Sequence, residues 1–209
     1  MGKQETEFLK SEGDAWFERN KDKLWEEIND PVLASIKDNG LHISNINIVE
    51  FGSGRGHRLG VLELISGARC VGIEPSDDAN LAAMKFWPKV RFIKGTANER
   101  HLSPTSDLVI YGFCLYLCDR ESLSSIVSAG DLALQDGGHL IIHDFDPEYP
   151  HKVPYHHKDG LFSYKMDYSK LWLANPSYSL VSKTVIPDGT AVWVLKKDIA
   201  AGWPEEKLT

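Results

Sequence analysis

The stretch Ile48 to Leu64, IVEFGSGRGHRLGVLEL, holds the residues best suited to chemistry. An acid, Glu50, precedes three glycines at alternate positions, Gly52, Gly54 and Gly56. A short apolar run leads into them and an apolar pattern at helical spacing (Leu59, Val61, Leu62, Leu64, Ile65) follows. Strand, glycine turn, helix lets backbone N–H groups approach a ligand closely. A dinucleotide fingerprint, G-x-G-x-x-G, needs its third glycine at position 57, where this chain has His57. An acid at the strand end would also compete with a pyrophosphate for the same N–H donors, whereas a ligand carrying a cationic amine gains from it. Twenty positions after Gly54, Glu74 ends the next apolar run in VGIEPS, where a carboxylate can accept both hydroxyls of a ribose. Nicotinamide-binding proteins share that second acid, so an NAD-dependent oxidoreductase is the first alternative.

These residues need a frame. From Ile46 onward apolar runs alternate with helical patterns: strands are expected at 46–51, 69–73, 89–93, 107–112 and 138–143, and helices at about 57–66, 77–86 and 120–134. Runs such as CVGI and LVIYGF are apolar throughout, as strands of a parallel sheet covered on both faces must be. SLVSKTVI (179–186) and AVWVLKK (191–197), joined by Pro187-Asp188-Gly189, predict a C-terminal antiparallel hairpin. The fold class is therefore α/β, a doubly wound, mostly parallel seven-stranded sheet with ligands gathered at the carboxyl ends of its strands. Before it, Phe17, Leu24, Trp25 and Ile28 recur at helical spacing behind Asp14 as N-cap, with Glu18 and Arg19 on the wet side, and Pro31 opens a second helix ending near Asn39-Gly40. The 209 residues read as a single domain, with residues 1–40 as a helical cap and 144–170 as an insertion, too long for a plain connection, that acts as a lid over an acceptor site.

The motif order over residues 45 to 145 resembles the class I S-adenosylmethionine-dependent methyltransferases, whose first motif is an acid followed by G-x-G-x-G. VEFGSGRG matches that motif, VGIEPS the ribose acid, FIKGTAN the adenine-side loop, and SDLVIYGFCLYL and LQDGGHLIIHDF the fourth and fifth strands. The resemblance implies S-adenosylmethionine as cofactor in a Rossmann-like methyltransferase fold. It puts Glu50, Gly52, Ser53 and Gly54 under the methionine part and Glu74, followed by Pro75, at the ribose. Many members have an Asp where GTAN has Thr96; here backbone N–H groups near Thr96 and Ala97 would take the adenine. FLKSEGDAWFERN and DPEYPHKVPYHHKDGLFSYKMDYSKLW look like the methylase group associated with pseudaminic-acid biosynthesis. By analogy with methyltransferases whose N-terminal helix closes over the cofactor, Phe17, Arg19 and Asn20 would touch the methionine end, Arg19 pairing its carboxylate. The implied reaction is O- or N-methylation of a small molecule, such as a sugar or nucleotide-sugar; a non-catalytic methyltransferase-like binding protein is the second alternative.

Methyl transfer to a hydroxyl or ammonium needs a base. His143 is the first candidate, because it ends a strand at the ligand edge and titrates near neutrality; Asp144 and His156 come next. Tyr155, His156, His157 and Lys165 are the expected polar contacts of the lid. Tyr111, Phe113 and Tyr116 flank the end of the fourth strand, and Tyr111 is counted with the cofactor-facing residues. The histidines and aspartates after the fifth strand fit no named metal-ligand spacing, and Cys114 and Cys118 have no second pair at zinc spacing, so no metal is expected.

A formal charge of −7 and the lack of a basic stripe disfavour nucleic acid as partner, and no apolar run reaches the ~20 residues that span a bilayer. The polar opening MGKQETEFLKSEGD lacks the apolar core of a signal peptide, and three cysteines make no disulfide framework, so a cytoplasmic setting is expected. Trp172, Trp193 and Trp203 fit an interface or a core equally, which leaves the oligomeric state open.

Overall fold

A computed structural model describes residues 2–22, 30–99 and 106–205. Nine strands form among these residues: β1 (Asn47–Phe51), β2 (Arg69–Glu74), β3 (Arg91–Lys94), β4 (Ser106–Gly112), β5 (Leu134–Phe145), β6 (His151–Pro154), β7 (Phe162–Lys165), β8 (Tyr178–Val185) and β9 (Thr190–Lys197). Seven of them make one sheet in the order β3-β2-β1-β4-β5-β9-β8, while β6 and β7 pair separately. The first five run parallel, and β9 lies antiparallel between β5 and β8. Chain order reverses direction between β1 and β4, the switch point at which open α/β sheets bind ligands.

Both faces of the central strands are buried, as their apolar runs require. Val49, Phe51, Val109, Tyr111, Leu140, Ile142 and Trp193 face one core, and Ile48, Leu108, Ile110, Ile141, Val192 and Val194 face the other. The helices are α1 (Lys3–Glu7), α2 (Gly13–Asn20), α3 (Pro31–Asp38), α4 (His57–Ser66), α5 (Asp77–Phe86), α6 (Leu123–Ala133), α7 (Ser169–Leu173) and α8 (Ile199–Gly202). α6 and α7 cover the first face with Ile126, Ala129 and Trp172; α3, α4 and α5 cover the second with Val32, Ile36, Leu59, Leu62 and Ala83. Trp172 and Trp193 are core residues, fully enclosed, whereas Trp203 stands 64% exposed. Among the described residues, no helix is long and apolar enough to cross a membrane.

Two expectations about the elements shift. Asp14 does not start a helix: α1 and α2 join through a wider turn at Phe8–Glu12. The Asp14 carboxylate instead accepts from the Ser76 hydroxyl (2.7 Å) and the Asp78 N–H (3.1 Å), reinforcing the N-cap that Ser76 makes on α5. A carboxylate gains as much at a neighbour's helix start as at its own, because unpaired N–H groups are available in both places. β5 also begins earlier than expected, at Leu134, since α6 stops at Ala133 and Gly137 carries a positive φ where the β4 register shifts. Pro31 does open α3, capped by the Asp30 carboxylate on the Val32 and Leu33 N–H groups (2.8 and 3.0 Å). Leu24, Trp25 and Ile28 lie outside the described residues.

Candidate active site

A cavity of about 420 Å3 opens at the carboxyl ends of β1, β2, β4 and β5. Its floor is the turn after β1. Gly52 and Ser53 donate their N–H groups to the Ile73 carbonyl, at 2.8 and 3.2 Å, which folds the turn against β2. Gly54 has φ +51, and a Cβ there would meet nothing within 4 Å, so the backbone lies bare to the cavity. Gly52 is needed for a different reason: a Cβ would overlap the Cys114 side chain. Glu74 ends β2 and bonds back to this floor, accepting from Gly54 N–H (2.9 Å) and Ser76 N–H (3.0 Å). Burial pushes its carboxyl up to about 7 against those two donors.

Glu50 is buried, with one oxygen on Arg58 and the other, Oε2, without a partner. Arg58, in the first turn of α4, also grips Asp30 through Nε (3.0 Å) and Nη2 (2.9 Å). Burial pushes the Glu50 carboxyl up to about 7, despite Arg58. Sequence reasoning reserved Glu50 for a cation on the ligand; the fold supplies an internal one, and it missed both Arg58 and Asp30. The available signal was an arginine inside an otherwise apolar helical pattern, two positions past the last glycine.

Over the floor lies a roof made by the N-terminal helices, with Glu5, Phe8, Gly13, Trp16 and Asn20 on the cavity. Asp119 fixes its start by accepting from the Gln4 and Glu5 N–H groups (3.1 and 2.9 Å), and Gln4 also donates to the Leu117 carbonyl (2.5 Å). Thr96 Oγ1 stands 2.5 Å from Glu5 Oε1, so the roof meets the loop after β3.

Of the residues singled out from sequence, Asn20, Glu50, Gly52, Ser53, Gly54, Glu74, Pro75, Thr96, Ala97, Phe113 and His143 line this cavity. Five others do not. Phe17 is buried away from it, because the helix presents Trp16 in its place beside Asn20, and residues one apart point to different sides. Arg19 is paired with Glu12 (2.5 Å) and with the Tyr155 hydroxyl (3.0 Å). Tyr111 belongs to the core: its ring stacks on Phe51 at 4.7 Å and its hydroxyl donates to the Ile126 carbonyl (2.9 Å). Strand alternation turns its side chain into the sheet face, and Phe113, with φ +60, reaches the cavity in its place. Asp144 is wholly buried and accepts from the N–H groups of Phe145 (2.8 Å) and Tyr116 (3.2 Å). His156 is exposed on the insertion.

None of residues 144–170 lines the cavity. The insertion runs outside the rim and braces the roof: Phe162 N–H donates to Gln4 Oε1 (2.7 Å), Lys3 Nζ to the Gly160 carbonyl (3.1 Å), and Lys158 pairs with Glu7 (3.1 Å). Lys165 lies over the Phe145 ring (3.9 Å) and His157 packs edge-on against Tyr155. Among the described residues, no three His, Cys, Asp or Glu side chains converge as a metal site.

At the far end, His143 sits beside Phe113, with ring centroids 5.2 Å apart, and its Nε2 is 3.2 Å from Thr190 Oγ1. Burial, with Arg58 nearby, takes the imidazole down to about 4, so it is neutral at physiological pH. Asp188 and Thr190, also on the cavity, were not anticipated; they belong to the turn that the PDG triplet did announce.

No family model matches the chain, and no curated protein matches it. Solved structures do. The 1,6-didemethyltoxoflavin-N1-methyltransferase of Burkholderia thailandensis, solved with 1,6-didemethyltoxoflavin and S-adenosylhomocysteine bound, superposes with a TM-score of 0.75 at 16% identity, over 92% of this chain and 88% of that one. A TehB-like S-adenosylmethionine-dependent methyltransferase from Corynebacterium glutamicum gives 0.65 at 14% identity, over 90% and 99%. DesVI of Streptomyces venezuelae gives 0.64 at 16%, over 85% and 96%. The chain has the Rossmann-like fold of the S-adenosylmethionine-dependent methyltransferases, with its cavity at the carboxyl edge of that sheet.

Proposed function

We propose that the protein is an S-adenosylmethionine-dependent methyltransferase acting on a small molecule. The observation that carries this reading is the bare backbone at Gly54 held against the Glu74 carboxylate, at the point where the sheet changes direction. The cavity fits such a nucleoside. In this reading Glu74 would take the ribose hydroxyls, Thr96 and Ala97 the base, and Gly52 and Ser53 the amino-acid end; all five line the cavity. The unpartnered Glu50 Oε2 near that end leaves an acceptor for an ammonium. When bound, S-adenosylmethionine supplies an electrophilic methyl group on a cationic sulfur. The chain's own work is then to align an acceptor, exclude water beneath the roof and receive a proton. His143 is the residue on the cavity wall suited to receive it. A sugar of the nonulosonic type is the first acceptor to test, from the resemblance of the two ends of the chain to the pseudaminic-acid methylases.

A nicotinamide-dependent oxidoreductase is disfavoured by topology. The doubly wound dinucleotide sheet continues with a sixth parallel strand, whereas β9 here is antiparallel to both its neighbours. Calorimetric titration decides between them: S-adenosylhomocysteine should bind with one site per chain and NAD should give no heat. The reverse pattern would remove the reading, and binding without methyl transfer to any acceptor would favour the non-catalytic alternative.

A further inference from the structure

Resting on the reading above, we infer that Thr190 and Asp188 are positioning residues that hold His143 in one tautomer, with its proton on Nε2 and the Nδ1 lone pair kept for the acceptor's proton. The chain of contacts has a single consistent direction. Asp188 Oδ1 receives both the Thr190 N–H (2.9 Å) and the Thr190 hydroxyl (2.7 Å). A threonine hydroxyl has one proton, and at this distance it must lie between the two oxygens, because a carboxylate and a bare hydroxyl lone pair would otherwise repel. Thr190 Oγ1 can therefore only accept at its other contact, His143 Nε2 at 3.2 Å. Nε2 carries the proton. Nδ1 is then an unprotonated nitrogen, and it is buried without a hydrogen-bond partner in the fold.

Nδ1 is enclosed by its neighbours, so a donor on a bound molecule meets it only where those neighbours give way, and the hydrogen bond it lacks is recovered there. The ring packs at a tilt of 32° against Phe113, while its neighbours Gly112 and Val192 fix its backbone in the sheet. The charged groups around it are Arg58 of α4, Asp30 at the head of α3, and Asp188 itself. The acceptor this arrangement suits is a hydroxyl, or the N–H of an amide or heteroaromatic ring. In each, the heteroatom lone pair forms the new bond to carbon while sulfur keeps the electrons of the bond that breaks. The proton left on the heteroatom becomes acidic as this happens, and passes to Nδ1 to give an imidazolium. Its new charge lies two hydrogen bonds from the Asp188 carboxylate.

The substitutions Thr190→Val and Asp188→Ala separate this from a plain turn-closing role. Nitrogen-15 correlation spectra of the His143 ring, recorded with S-adenosylhomocysteine present, should show protonated Nε2 and bare Nδ1 in the wild type and in T190S. T190V should show a mixture. D188A should move the proton to Nδ1, since the freed Thr190 hydroxyl can then donate to Nε2. In labelled-methyl transfer to a panel of neutral and amino sugars, T190V should be slower by roughly five- to tenfold, the worth of one hydrogen bond, with T190S restoring the rate. S-adenosylhomocysteine affinity, measured by calorimetry, should stay within twofold in all three, which also reports that they fold. A wild-type spectrum with the proton on Nδ1, or spectra unchanged by both T190V and D188A, would overturn the assignment. Loss of nucleoside binding in the wild type would instead reject the methyltransferase reading and leave the tautomer result standing by itself.

Discussion

Replacing Arg58 with leucine tests the electrostatics of the site most sharply. Arg58 is the shared cation of two buried carboxylates, Glu50 and Asp30. The two would not suffer equally. Asp30 keeps the N–H groups of Val32 and Leu33, whereas Glu50 already has one oxygen unpartnered and would lose the partner of the other. Breaking a buried pair by removing one member typically costs ~3–5 kcal/mol, and Glu50, with no second donor, belongs at the upper end of that range. The cost should depend on pH, and its sign follows from the direction of the shift. Burial raises the Glu50 carboxyl from its ordinary 4.5 to about 7, so the folded protein binds a proton that the unfolded chain has released. Its contribution is therefore most favourable below about 4.5 and declines as pH rises through 7, by roughly 3 kcal/mol in all. Without Arg58 the decline should be larger in total and reach higher pH, because the charged form has lost its cation. Urea melts of R58L against wild type at pH 5.5 and pH 8.5 measure this directly. The expected destabilisation is larger at pH 8.5, and E50Q in the R58L background should remove most of the pH dependence. A loss below ~1 kcal/mol at pH 8.5, or the same loss at both pH values, would refute the argument.

Two further outcomes follow from the same structure. Glu74→Ala should weaken S-adenosylhomocysteine at least tenfold by calorimetry, since hydrogen bonds to a charged group are worth ~1.5–3 kcal/mol; an unchanged affinity would remove its ribose role. Trp172→Ala should lower stability in urea melts by ~3–5 kcal/mol, because its side chain is fully enclosed beside Tyr111, yet leave nucleoside affinity within twofold; a large affinity change would link the α6–α7 face to the cavity.

The parts of this fold that were legible in the sequence are those set by local periodicity. Apolar runs fixed the parallel strands, the PDG turn fixed the β8–β9 hairpin, and an acid with alternating glycines fixed where the cavity opens. Each of these depends on neighbours within a few positions. What escaped depends on contacts between distant segments. The pairing of Arg58 with Asp30 joins residues 28 apart, and that of Arg19 with Tyr155 joins residues 136 apart. No spacing rule sees either. Helix phase explains the exchange of Phe17 for Trp16, because the expected helix began at Asp14 whereas the real one starts at Lys3 and passes through a wider turn. The insertion misled for another reason. Its histidines and tyrosines looked like ligand contacts, but polar aromatic residues serve equally well to brace one surface element against another.

Asp14 belongs to the N-terminal helices, yet it completes the start of α5, directly after the strand that ends in Glu74. The covering over the cavity is thus sewn to the very segment that ends in Glu74, as well as to Asp119 and Phe162 at its other end. If the cavity holds a nucleoside as proposed, an exit on this side has to undo several of these stitches at once, so release there should depend on how firmly the chain's opening helices are fastened down.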